Sequence, residues 1–290
     1  MFTPTYNRVH TLYRCYESLK RQTVKNFKWL IIDDGSTDHT RELITVWQAE
    51  KNDFEIQYVY KENGGMHTAH NKAYELIDTE LNVCLDSDDA LSDQAVEWIL
   101  DLWNHYGTNE VAGIIGLDAS LNTGHVIGAK FPKDLKTTTL SGYYQRGGKG
   151  DKKLVYRTDL MKKYPEYPVF EGEKYVSLGY KYLLCDQEYE LLVLNKVLCL
   201  VEYQEDGSTR NMFRQYFYNP KGFAFLRKID MKYNKSLKRQ FITCVHYVSS
   251  SILSKNKYFL RESPKKLLTI LALPAGIGLT CYINWKVKDR

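Results

Sequence analysis

The sequence predicts an α/β fold: a mostly parallel sheet flanked by helices, followed by a basic helical appendage at the C-terminal end. Three observations carry that expectation. Short apolar runs alternate with helix-like stretches through the first half of the chain, as in consecutive βαβ units. Acidic clusters close two of those runs, at the carboxyl ends of strands where parallel sheets bind ligands. Charge is also divided, since residues 1–206 carry 23 basic and 32 acidic groups and residues 207–290 carry 17 and 3, which gives −9 and +14.

The elements follow in order. Trp29–Ile32 is a short strand ending in Asp33-Asp34-Gly35-Ser36, and Ser36 or Asp38 can cap a helix over 39–49. Ile56–Tyr60 is the next strand; the chain then turns through Asn63-Gly64-Gly65 into a helix over 68–77. Leu81–Leu85 is a third strand, residues 92–105 a helix, and Val111–Leu117 a further strand. Only Met1 and Phe2 precede Thr3, so the first strand of the sheet is expected to be cut short. Residues 120–177, rich in Gly, Lys and Tyr, are expected to be irregular loops beside a site. Leu237, Phe241, Cys244, Val245, Val248 and Ile252 recur at helical spacing, which predicts an amphipathic helix in the appendage. The expected domains are 1–206, a basic helical segment 207–262, and an apolar tail 263–290.

Length and composition are those of a globular protein of one or two domains. The six cysteines show no paired spacing, which favours a reducing compartment, and the N-terminus lacks the pattern of a signal peptide. A basic segment meets nucleic acid or an anionic membrane, and its neighbours decide between them. Here the neighbour is the apolar run Leu267–Trp285, flanked by Lys265, Lys266, Lys286, Lys288 and Arg290. Nothing beside it resembles a nucleic-acid module. The expected partner is an anionic membrane surface, with the protein at the inner face of the cell membrane. Pro274, Gly276 and Gly278 interrupt the run, so a span, an embedded anchor and a docked core helix all stay open.

The stretch CLDSDDAL, Cys84–Leu91, crowds Asp86, Asp88 and Asp89 at a strand end. In an extended strand Asp86 and Asp88 project the same way and Asp89 the other. Mg²⁺ or Mn²⁺ takes one or two carboxylates and completes its shell with water and phosphate oxygens, so a metal bound to a nucleoside diphosphate would satisfy the cluster. Carboxylates at the positive end of the following helix would explain it as well.

Three further stretches accompany it in order: TPTYN at Thr3–Asn7, IIDDGSTD at Ile31–Asp38 and NGGMHTAHNKA at Asn63–Ala73. Together with LDSDD at Leu85–Asp89 they resemble the family 2 glycosyltransferases of GT-A fold, over roughly residues 2 to 205. The resemblance implies a nucleotide-diphospho-sugar lying across the strand ends. Pro4, Thr5 and Tyr6 would border the base, Asp34 would accept from uracil, and Asp33 would support its loop. Asn63, Gly65 and Asn71 would line the donor. Asp88 would hold the ribose side and, with Asp89, a Mn²⁺ or Mg²⁺ ion, with Asp86 as auxiliary acid. His70 and Ala73 depart from the family's Arg and Gly, which leaves Lys61 or Lys72 for the diphosphate. The catalytic base maps to Asp186 in CDQEYE, with Glu171 or Glu173 next, and Glu202–Asn211 would close over the site. The implied activity is inverting, metal-dependent transfer from a UDP-sugar to an acceptor hydroxyl, on a saccharide or lipid-linked saccharide of a surface or capsular polysaccharide. A phospho-accepting receiver module or a nucleotidyltransferase would also use acidic strand ends.

Overall fold

A computed structural model describes residues 1–202, 211–234 and 236–288. They form two compact units, Met1–Glu166 with Leu184–Glu202, and Tyr167–Leu183 with the described residues after 202. The expected boundary at 206 divides the chain differently, since residues 167–183 group with the appendage.

The first unit opens with β1 (Phe2–Thr5), α1 (Tyr13–Lys20), β2 (Lys28–Asp33), α2 (Thr40–Ala49), β3 (Glu55–Tyr60) and α3 (Met66–Leu76). It continues through β4 (Leu81–Val83), β5 (Ala90–Leu91), α4 (Ala95–Tyr106), β6 (Val111–Ser120), β7 (Thr137–Thr138), α5 (Leu140–Gln145), β8 (Lys152–Arg157) and α6 (Thr158–Lys163). The chain returns to it at the end of α7 (Gly179–Cys185) and finishes in β9 (Glu190–Val201).

β1, β2 and β3 are parallel, with Phe2 opposite Leu30 and Thr5 opposite Asp33. The short first strand is therefore paired along its whole length. A parallel bridge between Phe2 and Cys84, with Leu85 N–H donating to Phe2 O at 2.9 Å, joins β1 to the continuation of β4. The second sheet runs β4-β8-β6-β9-β5, with β7 on β9. β8 is antiparallel to both β4 and β6 while β6 and β9 are parallel, so the first sheet is purely parallel and the second is mixed. β8 and α5 lie within the stretch expected to be irregular.

The buried side chains explain the layering. Tyr16 of α1 stacks on Trp47 of α2 with ring centroids 4.4 Å apart, and both cover Trp29 of β2. Trp29 Nε1 donates to Thr3 Oγ1 at 2.9 Å, which ties this aromatic group to β1. Leu12, Ile31, Ile44, Leu85, Ile99, Ile114 and Leu198 complete the same core.

The second unit is helical: α8 (Met212–Tyr218), α9 (Pro220–Tyr233), α10 (Leu237–Leu253), α11 (Phe259–Glu262), α12 (Lys266–Leu271) and α13 (Leu273–Lys288). Its separate core gathers Ala224, Met231, Cys244, Tyr247 and Ala272. Pro274 falls in the first turn of α13, where a missing N–H costs nothing. The apolar tail is thus two helices packed on α10, and among the described residues no helix is long and apolar enough to cross a membrane. All six cysteines are free thiols, and Cys281 alone is exposed.

Candidate active site

Three neighbouring parallel strands deliver the acidic motifs to one edge of the sheet. Thr5 ends β1 opposite Asp33 at the end of β2, and the Phe2–Cys84 bridge sets Asp86–Asp89 on the other side of β1. Strands lie about 4.8 Å apart, so the two acidic loops flank Thr5 within two strand spacings. The hydroxyl of Thr5 is buried and has no hydrogen-bond partner among the described residues. Pro4 is buried with it, and Tyr6 stands exposed beside them.

The loop after β2 is held from within. Asp33 accepts from Ser36 N–H at 2.8 Å and from Tyr58 OH at 2.7 Å. Asp34 is buried and fully engaged. Lys61 Nζ lies 2.6 Å from its Oδ1, Gly64 N–H donates to Oδ1 at 3.0 Å, and Gly65 N–H donates to Oδ2 at 2.7 Å. Asn63 Nδ2 donates to the Asp34 carbonyl at 2.7 Å. Gly35 has φ +85°, and a Cβ there would lie 2.8 Å from Asn63 N, so the loops after β2 and β3 meet backbone to backbone. Asn7, at φ 52°, fastens the β1 loop to the same place by accepting from Thr37 N–H at 2.8 Å. His39 stands at the N-cap of α2, and Asp38 just before it, not Ser36, accepts from Thr40 N–H at 3.1 Å.

α3 begins immediately after Gly65. Asn71 is half-buried on it. His70 is wholly buried, edge-on to Phe2 at 4.9 Å, so it packs between helix and sheet and does not face a ligand in the way an exposed Arg would. Of the two cations expected to replace that Arg, Lys61 is committed to Asp34, and Lys72 pairs with Glu75 at 2.9 Å. His67 is buried, and neither ring nitrogen has a hydrogen-bond partner among the described residues; burial lowers its pKa to about 4.

The Asp86–Asp89 loop separates its carboxylates. Asp86 and Asp88 are half-buried at the strand end. Burial and then the neighbouring charge of Asp86 raise the pKa of Asp88, with Arg8 and Arg14 opposing. Arg14 Nη1 approaches the Asp88 carbonyl at 3.5 Å and is paired with Glu202 from the end of β9. Asp89, expected to be a metal ligand, turns inward instead. It is 6% exposed, with its Oδ2 3.8 Å from Lys153 Nζ and near the Cys199 thiol. Burial pushes its pKa up; Lys153 opposes this, and Asp86, Asp88 and Asp118 add to it. Lys153 also donates to Cys84 O at 3.1 Å, gripping the strand just before the acidic loop. Burial disfavours the charge on Lys153, yet Cys199, Asp89, Asp118 and Asp86 outweigh it and hold its pKa well above the usual lysine range. Lys153, Arg14 and Asp118 carry no motif of their own, and the sequence pattern did not single them out.

Among the described residues no group of three or more His, Cys, Asp and Glu side chains converges on one point. The donors nonetheless suit a hard cation that keeps most of its shell for water and phosphate, since two half-buried carboxylates, Asp86 and Asp88, stand two residues apart beside the unpartnered Thr5 hydroxyl.

The structure does not bring the expected base to this edge. Asp186 precedes β9, whose first residue Glu190 pairs with Val111 at the start of β6, whereas the acidic loop lies level with the other end, where Ala90 pairs with Leu200. Its oxygens accept from Leu140 N–H at 3.1 Å and Ser141 N–H at 2.7 Å, capping α5. Burial raises its pKa, opposed by those bonds. In the second unit Glu173 caps α9 in the same way, accepting from Lys221 N–H at 2.9 Å and Gly222 N–H at 2.8 Å, while Glu171 is exposed. Most of the expected closing segment, residues 203–210, lies outside the described residues.

Known proteins resemble this chain in sequence and in fold. The sequence model of glycosyl transferase family 2 matches residues 1–155. An uncharacterized glycosyltransferase of Rickettsia bellii is 30% identical over 145 residues, which are 48% of this chain and 21% of that protein. Chondroitin synthase of Escherichia coli is 36% identical over 101 residues, 35% of this chain and 14% of the synthase. The chain thus matches about a fifth of the rickettsial relative and less of the synthase. Among solved structures, residues 1–349 of S. aureus TarS in complex with UDP-GlcNAc superpose with a TM-score of 0.63 at 15% identity, covering 99% of this chain and 90% of that one. The mannosyltransferase PcManGT of Pyrobaculum calidifontis, in complex with GDP-Man and Mn²⁺, gives 0.54 at 17% identity, covering 96% and 72%.

Proposed function

Because the chain belongs to glycosyl transferase family 2, a family of sugar-transferring enzymes, we propose that it moves a sugar from a UDP-sugar to an acceptor hydroxyl with inversion at the anomeric carbon. The observation that carries the reading is the row of strand ends: Asp33-Asp34, Thr5 and Asp86–Asp88 on adjacent strands. The nucleoside lies across Pro4, Thr5 and Tyr6, with the hydroxyl of Thr5 free to bond it. Asp34 does not reach for the base as a free carboxylate; its oxygens are spent on Lys61, Gly64 and Gly65, so it shapes the loop whose backbone, with Asn63 and Asn71 nearby, borders the donor.

Asp88, with Asp86 beside it, holds Mn²⁺ or Mg²⁺, which when bound neutralises charge on the departing diphosphate. Lys153 and Asp89 act behind this pair by fixing the strand that carries it. The Mn²⁺ of the mannosyltransferase complex and the UDP-GlcNAc of the TarS complex support this donor chemistry.

The acceptor is a saccharide or lipid-linked saccharide of a surface polysaccharide, supported by the chondroitin synthase relative and by an appendage that carries +14 of charge beside apolar helices. That appendage holds the protein at a membrane. The test is a donor screen, in which the protein is incubated with Mn²⁺ and a panel of nucleotide-sugars and nucleotide release is measured. Release of UDP from one sugar is expected. Turnover of a GDP- or CMP-sugar alone, or undiminished turnover in chelator, would overturn the corresponding part.

A further inference from the structure

We propose that the outward face of α12 and α13 lies flat on an anionic lipid bilayer without crossing it; the inference rests on the membrane-associated reading above and names its surface and mode. The two helices are turned inside out. Toward the core of the second unit they present Thr269, Ala272, Gly276, Thr280 and Ile283, mostly small or polar and all buried. Thr280 Oγ1 bonds Ser249 Oγ at 3.1 Å, and a Cβ on Gly276 would lie 2.5 Å from the Val248 side chain, so α13 seats closely on α10. The opposite side exposes Leu267 by 80%, Leu271 by 69%, Ile277 by 51% and Trp285 by 57%.

A surface helix in water buries its apolar stripe, and a contiguous apolar face left outside marks an interaction surface. Charge identifies the occupant. Between Lys255 and Lys288 there are seven basic residues and one acid, Glu262, which is already paired with Lys228 at 3.0 Å. Lys266 and Lys288 are exposed at the two ends of the face, and Lys286 Nζ lies 5.7 Å from the Trp285 ring centroid. An aromatic ring and a lysine at one level suit the boundary between headgroups and acyl chains. A second copy of the chain would set these cations against each other, whereas anionic headgroups would neutralise them. At about 1.5 Å per residue the 16 residues of α13 reach about 24 Å, short of the roughly 30 Å hydrocarbon core, so the helix lies in the interface.

Vesicle flotation tests this, comparing phosphatidylcholine alone with phosphatidylcholine containing phosphatidylglycerol. The full chain is expected to float with the anionic vesicles. A folded variant combining Leu267→Gln, Leu271→Gln, Ile277→Gln and Trp285→Gln should partition at least about tenfold less, as should one combining Lys266→Gln, Lys286→Gln and Lys288→Gln. Circular dichroism confirms that each variant folds, and UDP release from the soluble donor should be unchanged in both. Failure of the full chain to float, or equal flotation of the apolar-face variant, overturns the proposal. So does self-association of the full chain that this variant abolishes, which would make the face a dimer contact. Flotation without turnover of any nucleotide-sugar leaves the docking face intact and removes the donor reading; turnover without flotation does the reverse.

Discussion

Asp88 and Asp89 are adjacent in sequence and differ in chemistry, because one stays at the strand end and the other is drawn to Lys153 in the interior. Substitution should separate them. Asp88→Asn is expected to lower the Mn²⁺-dependent affinity for UDP at least about tenfold with little change in stability, since it removes the charge proposed to hold the ion. Asp89→Ala should instead cost on the order of 3 kcal/mol of stability, because it empties a buried site and removes the group that faces the Lys153 ammonium. Calorimetry with and without chelator, beside urea denaturation, checks both; a stability loss confined to Asp88→Asn would reverse the assignment. Asp186→Asn should leave transfer within about threefold of wild type, since asparagine also caps helices and the position is at the far end of β9 from the acidic loop. A fall of two orders of magnitude at unchanged donor affinity would instead make Asp186 the base. His67 gives a pH signature. Its pKa in the fold, about 4, lies below the ordinary 6.5, so its contribution is present above pH 6.5 and is lost as pH falls through 4. At about 1.4 kcal/mol per unit the loss is roughly 3 kcal/mol. His67→Phe should flatten the decline in stability between pH 7 and 4 measured by urea titration; an unchanged slope would show that the buried ring does not titrate with unfolding.

The loops that aim these residues depend on contact between elements. Gly35→Ala would drive a methyl group into the backbone of Asn63 at a positive φ, so it should cost more than about 1 kcal/mol and weaken donor binding together. Stability falling without any change in UDP affinity would mean the two loops need not meet. The same loops show what the sequence could reveal. Strands at 29–32 and 56–60 and the helices after them announce themselves by apolar runs and by Gly-Gly or Asp-Gly turns, and each was found within a few residues of its place. β8 could not be read that way. Its apolar stretch is only Leu154-Val155-Tyr156 between lysines and an arginine, and its place between β4 and β6 comes from pairing partners about 40 and 70 residues upstream. Lys153 rides on that strand, so the cation behind the acidic loop was hidden for the same reason. The capping role of Asp186 was equally long-range, because its partners at 140 and 141 stand over 40 residues away.

At the scale of the whole molecule, the described residues include two cores that share no buried residue, an aromatic and aliphatic one against the sheet and a smaller one among the helices of the appendage. Four of the five tryptophans, 29, 47, 98 and 103, belong to the first unit, and Trp285 is more than half exposed. Tryptophan emission therefore follows the first core, while ellipticity at the helix band also follows the second. The two signals should trace separate urea transitions; coincident curves would show that the units unfold as one. The thiols are divided just as unevenly. Cys15, Cys185, Cys199 and Cys244 are enclosed and Cys84 is half-covered, while Cys281 stands in the open on α13. A maleimide added to the native protein should consume that sulfur first, which provides a natural attachment point. A nitroxide placed there would sit on the outward side of α13, so its accessibility to oxygen and to a nickel chelate would measure immersion depth without any engineered cysteine.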